Sequence, residues 1–276
     1  AKVFQTGLLT TTDAADIGWS EVPLAELHVE PARALLERLG AEIREGAKVT
    51  EIVTGGAGAP HPRLVRGVRV DGEILEAEAV VLAVPHDGAA SLVPLGAVED
   101  RAAFAGLGSS PIVNVHVVFD RKVMAYKMAA GTGSPVQFVF DRTAASGLDR
   151  EGGGQALAVS LSGAEAEIGE RPEVLTNRYV AALGELFPAA RGATVLDAVV
   201  TREHDATFRG VPHTRALRPG AVTAISNLAL AGAWTDTGWP ATMEGAVRSG
   251  KAAAEVVLGS LSRSLAEQAR REEVVA

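Results

Sequence analysis

The chain has 276 residues, enough for one large or two modest domains with cores of their own. A net charge of -8 and a pI near 5.3 argue against nucleic acid as the main partner. The absence of cysteine excludes disulfides, thiol catalysis and iron–sulfur ligation, and it fits a cytoplasmic protein.

Residues 1–30 hold short apolar pieces broken by Gly7, Gly18 and Pro23, with Trp19 as an anchor. The chain opens at Ala1 rather than methionine, so this stretch reads as the remnant of an element in a processed or truncated product. No basic segment followed by an apolar run marks a secretory signal. Pro31 to Leu39 is a helix by pattern: Leu35, Leu36 and Leu39 share one face, proline stands in the first turn and Gly40 stops it. Ala47 to Val53, Val65 to Val70 and Glu73 to Ala77 are β-rich runs, separated by a Gly/Pro loop (Gly55 to Pro62) and an Asp71-Gly72 turn. Ala79 to Val84 is a continuous apolar run ended by Pro85, which predicts a strand buried on both faces. It is the longest apolar stretch and falls far short of the ~20 residues of a membrane-spanning helix.

From Val93 the texture changes. Pro111 to Asp120 alternates, with Ile112, Asn114, His116 and Val118 on one face and Val113, Val115, Val117 and Phe119 on the other. Val136 to Phe140, Ala156 to Leu161 and Thr194 to Thr201 are further strands, and Val174 to Phe187 is an amphipathic helix. This block reads as an antiparallel sheet with a covering helix. Leu228 to Ala231 is a short strand, a loop follows to Pro240, and a helix runs from Thr242 to Leu258. Residues 260–276 are charged and are expected to be a disordered tail. The six histidines, at 28, 61, 86, 116, 204 and 213, never stand four apart as on a zinc-binding helix, so no metal site is expected.

The informative unit is the strand–loop–helix from Leu228 to Gly250. A helix N-terminus offers unpaired N–H groups and partial positive charge. Here the small residues Gly245, Ala246, Ser249 and Gly250 let a backbone or a flat cofactor approach closely. Such a terminus suits the anionic edge of a reduced flavin. An ordinary α/β connection has the same pattern.

The run from Trp234 to Gly250, with Thr-Gly-Trp-Pro-Ala-Thr at 237–242, resembles the C-terminal FAD motif of the squalene-associated FAD-dependent desaturases, or hydroxysqualene dehydroxylases, within the flavin amine oxidase–phytoene desaturase superfamily. Ala79 to Pro85, Ser110 to His116, Gln137 to Arg142 and Asp205 to Phe208 are similar to further stretches of that family. The resemblance implies an α/β fold with an α+β insertion: a partial FAD-binding, Rossmann-like domain of the glutathione-reductase type plus an antiparallel-sheet substrate domain. The segments are 31–92 and 216–259 for the FAD domain and 93–215 for the substrate domain. FAD is the implied cofactor, held by Val49, Gly232, Ala233, Trp234, Thr235, Trp239, Ala241, Thr242, Met243 and Glu244. Asn114, His116 and Trp239 would line the cavity of an isoprenoid substrate, and Asp236 would be the acid. The implied reaction is hydride transfer from reduced flavin to an allylic carbon as hydroxyl leaves as water, giving squalene in hopanoid synthesis. A carotenoid-type desaturase runs the hydride the other way on the same scaffold. An amine oxidase usually has an aromatic residue where Thr242 stands. A long hydrocarbon substrate also implies peripheral contact with the inner membrane face.

Two departures limit the resemblance. The family's usual Asp after Leu-Ala-Gly is Ala233, whose methyl group accepts no hydrogen bond. The opening strand–G-x-G-x-x-G–helix, the pyrophosphate cradle, has no counterpart: Gly55 to Gly58 precedes Pro60, and Gly152 to Gly154 leads into a strand. The chain therefore reads also as a non-catalytic remnant, or as half of a split flavoprotein completed by a separate N-terminal FAD-binding polypeptide. Bland alternatives stand beside each site residue. Val49 equally suits a core, His116 a satisfied strand position, Asp236 a turn cap and Trp239 a packing anchor. Arg248 pairs with an acid or phosphate, or lies on a solvated face.

Overall fold

A computed structural model of the chain describes residues 2–55, 64–151 and 153–275. In chain order its helices are α1 (Lys2–Leu9), α2 (Glu30–Arg38), α3 (His86–Leu92), α4 (Thr143–Ser146), α5 (Pro172–Leu186) and α6 (Met243–Val275). The strands are β1 (Val49–Thr54), β2 (Val65–Val70), β3 (Glu73–Glu76), β4 (Val80–Leu82), β5 (Ser109–Phe119), β6 (Met128–Ala130), β7 (Phe138–Asp141), β8 (Gln155–Ser162), β9 (Val195–Phe208) and β10 (Leu228–Leu230). Most of the Gly55 to Pro62 loop, including His61, lies outside the described residues, as does Gly152.

Two compact units form. One joins Arg44–Gly108 to Thr207 onward; the other joins Val3–Ile43 to Ser109–Ala206. The divisions thus fall elsewhere than the sequence boundaries at 31, 93 and 216. The reason at 93 is a 3-10 turn, Arg101–Leu107, whose Phe104 and Leu107 are buried in the core of the first unit.

In the first unit β1, β2 and β3 form an antiparallel meander. Asp71 and Gly72 turn it with φ of 51° and 86°, the left-handed pair of a type I′ hairpin. Beside it, β10 and β4 pair in parallel, Leu228 against Val80 and Leu230 against Leu82. Leu82, Leu228 and Leu230 point into a core with Ile52, Val65, Phe104, Leu107 and Trp234. On the other face Ala229 and Ala231 meet Ala253 of α6, where small side chains bring helix and strand together. The Ala79 to Val84 run is not covered on both faces: Val81 is 40% exposed. The run is apolar enough for a strand between two layers, but among the described residues its only strand partner is β10.

In the second unit five strands lie in the order β6-β7-β8-β5-β9, with β6–β7, β7–β8 and β8–β5 antiparallel. The alternation read in β5 is met: Val113, Val115, Val117 and Phe119 are all at most 1% exposed. They pack against Leu175, Tyr179 and Leu183 of α5. Gln155 is buried at the start of β8. Its Oε1 accepts the N–H groups of Val123 and Met124, and its Nε2 donates to Met124 O and the Asp141 carboxylate.

Several elements differ from expectation. Residues 2–9 are helical, although α1 buries no residue. α3 forms where Pro85 ends β4, proline being favoured at the threshold of a helix. β9 continues to Phe208 rather than stopping at Thr201. The expected tail is instead the second half of α6, a run of Ala, Leu, Glu, Gln and Arg with high helix propensity. No helix among the described residues is long and apolar enough to cross a membrane.

Candidate functional site

The strand–loop–helix lies wholly in the first unit. After β10 the backbone turns at Gly232, whose φ is 143°, and a Cβ there would stand 2.3 Å from Trp234 Nε1. Only glycine lets the indole fold back over this point. The Gly232 N–H donates to Ser249 Oγ at 2.8 Å, and Ser249 donates to Ala246 O at 2.6 Å, tying the loop to α6. Thr235 closes the turn, its N–H and hydroxyl both reaching Gly232 O, at 3.0 and 2.9 Å.

Trp234 and Thr235 are therefore interior residues. Trp234 is 4% exposed, donates to Val84 O at 2.8 Å and packs against Phe104 with ring centroids 4.9 Å apart. Thr235 is 2% exposed. Their side chains are committed to the protein, so a cofactor contact from either residue would run through its backbone. Ala233 is half-buried and Val49 is half-buried at the start of β1, opposite Val70.

The start of α6 has the opposite character. Thr242 caps it, Oγ1 accepting the Gly245 N–H at 3.1 Å and the carbonyl accepting from Ala246 at 3.0 Å. A Cβ on Gly245 would stand 2.6 Å from Pro240 O, so glycine lets the loop close over the helix. Thr242, Met243 and Glu244 are exposed and Ala241 is half-buried. The first-turn amides of Met243 and Glu244 are among those that a helix leaves unpaired. Trp239 is half-buried, with the Arg248 guanidinium 4.7 Å from its ring centroid. Arg248 is held in turn by Glu244 at 2.7 Å. Arg248 thus pairs with an acid, and Trp239 carries a cation on one face.

Asp236 lies in the loop that follows Thr235. One carboxylate oxygen accepts the Gly238 N–H at 3.0 Å and the other faces Arg215 at 3.4 Å. The Gly238 N–H first, and the Arg215 charge after it, hold the carboxyl below the usual carboxylate range. The carboxylate therefore caps a turn and favours its ionised form.

Asn114 and His116 lie in the second unit, on the face of β5 turned from its core. Both reach Thr201 Oγ1, at 3.5 and 3.4 Å. Burial, and then the Arg142 charge, lower the His116 pKa, so the ring is neutral at neutral pH.

Sequence reading missed Arg218. Its guanidinium donates to the carbonyls of Ala233, Trp234 and Thr235 in succession. No motif marks it; only tertiary contact brings it to the loop.

These residues fit the flavin end of the cofactor: a capped helix start with exposed amides, and a glycine-built loop braced behind it. For the adenosine end the described residues offer β1 and no glycine-rich strand–turn–helix. A family model described as flavin containing amine oxidoreductase matches residues 24–258. The chain is 33% identical to a hydroxysqualene dehydroxylase of Sinorhizobium fredii, over 85% of this chain and 51% of the relative. It is 24% identical to a 15-cis-phytoene desaturase of Synechococcus elongatus, over 83% of this chain and 50% of the relative. Among solved structures, an oxidoreductase from Methanosarcina mazei superposes with a TM-score of 0.58 at 18% identity, covering 81% of this chain and 52% of the other. The chain thus spans about half the length of the curated relatives it matches.

Proposed function

Because the chain belongs to the flavin containing amine oxidoreductase family, we propose that its first unit holds the isoalloxazine end of FAD and that the protein acts in the reductive dehydroxylation of hydroxysqualene to squalene. The observation that carries the reading is the capped, exposed start of α6 beside the Gly232–Thr235 loop. When bound, the flavin supplies the hydride. The chain's own residues hold it, Met243 and Glu244 through their amides and Trp239 beside it; in the second unit, Asn114 and neutral His116 offer polar groups on the outer face of β5. Identity of 33% to a hydroxysqualene dehydroxylase against 24% to a phytoene desaturase favours dehydroxylation over desaturation. Anaerobic incubation with FAD and hydroxysqualene plus a reductant, and in parallel with FAD and phytoene plus a quinone as electron acceptor, followed by product analysis, tests this. Squalene from the first supports the reading; product from phytoene alone overturns it.

The pyrophosphate cradle comes from a polypeptide outside residues 1–276. Two parallel strands are too few for a stable parallel sheet. Val81 of β4 and, on α6, Val247 and Leu258 are 40%, 69% and 60% exposed, apolar side chains that a further strand and helix would cover. Adding a polypeptide that bears the strand–glycine turn–helix of the relatives should restore tight FAD uptake, and Val81→Asp should prevent it. Uptake equally tight without the addition excludes such a partner.

Peripheral membrane contact is assigned to α1, where Val3, Phe4, Leu8 and Leu9 are 65–79% exposed. The following segment to Ile43 is rich in Asp and Glu, so neutral lipid suits it better than anionic lipid. Sedimentation with phosphatidylcholine vesicles, lost in Phe4→Ser, is the expected result; sedimentation that requires anionic lipid contradicts it.

A further inference from the structure

Arg218 follows the 3-10 turn Thr214–Leu217, remote in sequence from the cofactor motif. Its Nε donates to Trp234 O at 3.1 Å, and its Nη2 to Ala233 O at 3.1 Å and to Thr235 O. Its flat face lies over Phe208, 5.2 Å from the ring centroid. A planar five-donor cation suits this place, because it can gather several carbonyl oxygens while stacking on a ring. Lysine, a point charge with a flexible stem, holds such a set less rigidly.

The consequence lies on the other side of the peptide planes. In a trans peptide the C=O of one residue and the N–H of the next point in opposite directions. With the Ala233 carbonyl turned to Arg218, the Trp234 N–H is aimed away from the guanidinium. The next two amides are used internally, Thr235 N–H on Gly232 O and Asp236 N–H on Pro219 O at 2.7 Å. The Trp234 N–H has no acceptor among the described residues.

We infer that Arg218 is a positioning residue of the cofactor loop: by fixing three successive carbonyls it presents the Trp234 N–H as a donor to an oxygen of the bound FAD. The inference rests on the FAD reading above and adds to it a residue that touches no cofactor. It also bears on Ala233, since a loop braced through its carbonyls keeps its shape without a carboxylate at that position.

The test uses the complete FAD-binding species, with Arg218→Lys and Arg218→Gly. FAD affinity is read by flavin fluorescence well below the thermal midpoint, and amide hydrogen exchange is followed in 232–238. Loss of charge-assisted bonds predicts affinity about 10-fold or more weaker in both variants, with faster exchange in 232–238 and unchanged exchange in α6. Millimolar guanidinium should restore part of the affinity of Arg218→Gly. Variants that melt earlier but bind FAD as the wild type does would show a merely structural arginine and overturn the inference. A wild-type species that takes up no FAD overturns the cofactor reading instead. The exchange data then decide the brace by themselves: unchanged exchange in 232–238 refutes it.

Discussion

Asn227 ties its own segment to the backbone of two residues distant from it in sequence, Val65 and Glu78. Its Oδ1 accepts the Val65 N–H at 2.9 Å, and its Nδ2 donates to Val65 O and Glu78 O, both at 2.8 Å. The residue is 6% exposed, so truncation leaves buried groups without partners. Asn227→Ala should cost about 3 kcal/mol in a denaturant titration; a change below about 0.5 kcal/mol would show that water replaces the amide. Gly232→Ala should be severe for a different reason, since the added methyl meets the Trp234 indole at a positive φ. The expected signature is a red-shifted Trp emission as the Trp234–Val84 bond is lost. Asp236 carries a pH prediction. Its folded pKa is lowered, so its stabilisation is present above the ordinary value of 3.8 and is lost as pH falls below it. Asp236→Asn should flatten that acid limb and leave turnover within about threefold, because loss of a general acid costs about 100-fold or more. A turnover loss of that size returns Asp236 to the acid role.

At the scale of elements, β5 and α5 show why periodicity reads well where one face is buried. The inward residues of β5 alternate without exception, and α5 offers Leu175, Tyr179 and Leu183 at helical spacing to meet them. Leu175 is fully buried, so Leu175→Ala should cost about 2–5 kcal/mol, measured by urea unfolding. A cost near that of an exposed leucine would mean that α5 packs loosely. The elements that escaped reading lack such a face. α1 is eight residues long and buries no residue, and α3 is seven residues long, so neither offers enough turns for a helical period to be read. The second half of α6 looks like a charged tail, because a helix made mainly of exposed positions is recorded in propensity rather than in apolar spacing.

At the scale of the molecule, the two main cores share no residue among those described: one is built on β5, β8 and α5, the other on β1, β2, β4, β10 and the Arg101–Leu107 turn. Calorimetry should therefore show Leu175→Ala shifting one component of the melting profile and Asn227→Ala another; a single component moved equally by both would deny separate cores. The sequence by itself determined the family, the two classes of sheet, the strand–loop–helix and its glycines, because these are local patterns of spacing and residue type. Tertiary structure alone decided the rest. It committed Trp234 and Thr235 to the interior, made Asp236 a turn cap by placing Gly238 and Arg215 on its oxygens, and brought Arg218 to the loop. It also left one face of the Ala79 to Val84 run uncovered. The physical reason is the same each time: a side chain's partners come from distant segments of the chain, and those partners set its burial, its charge state and its role.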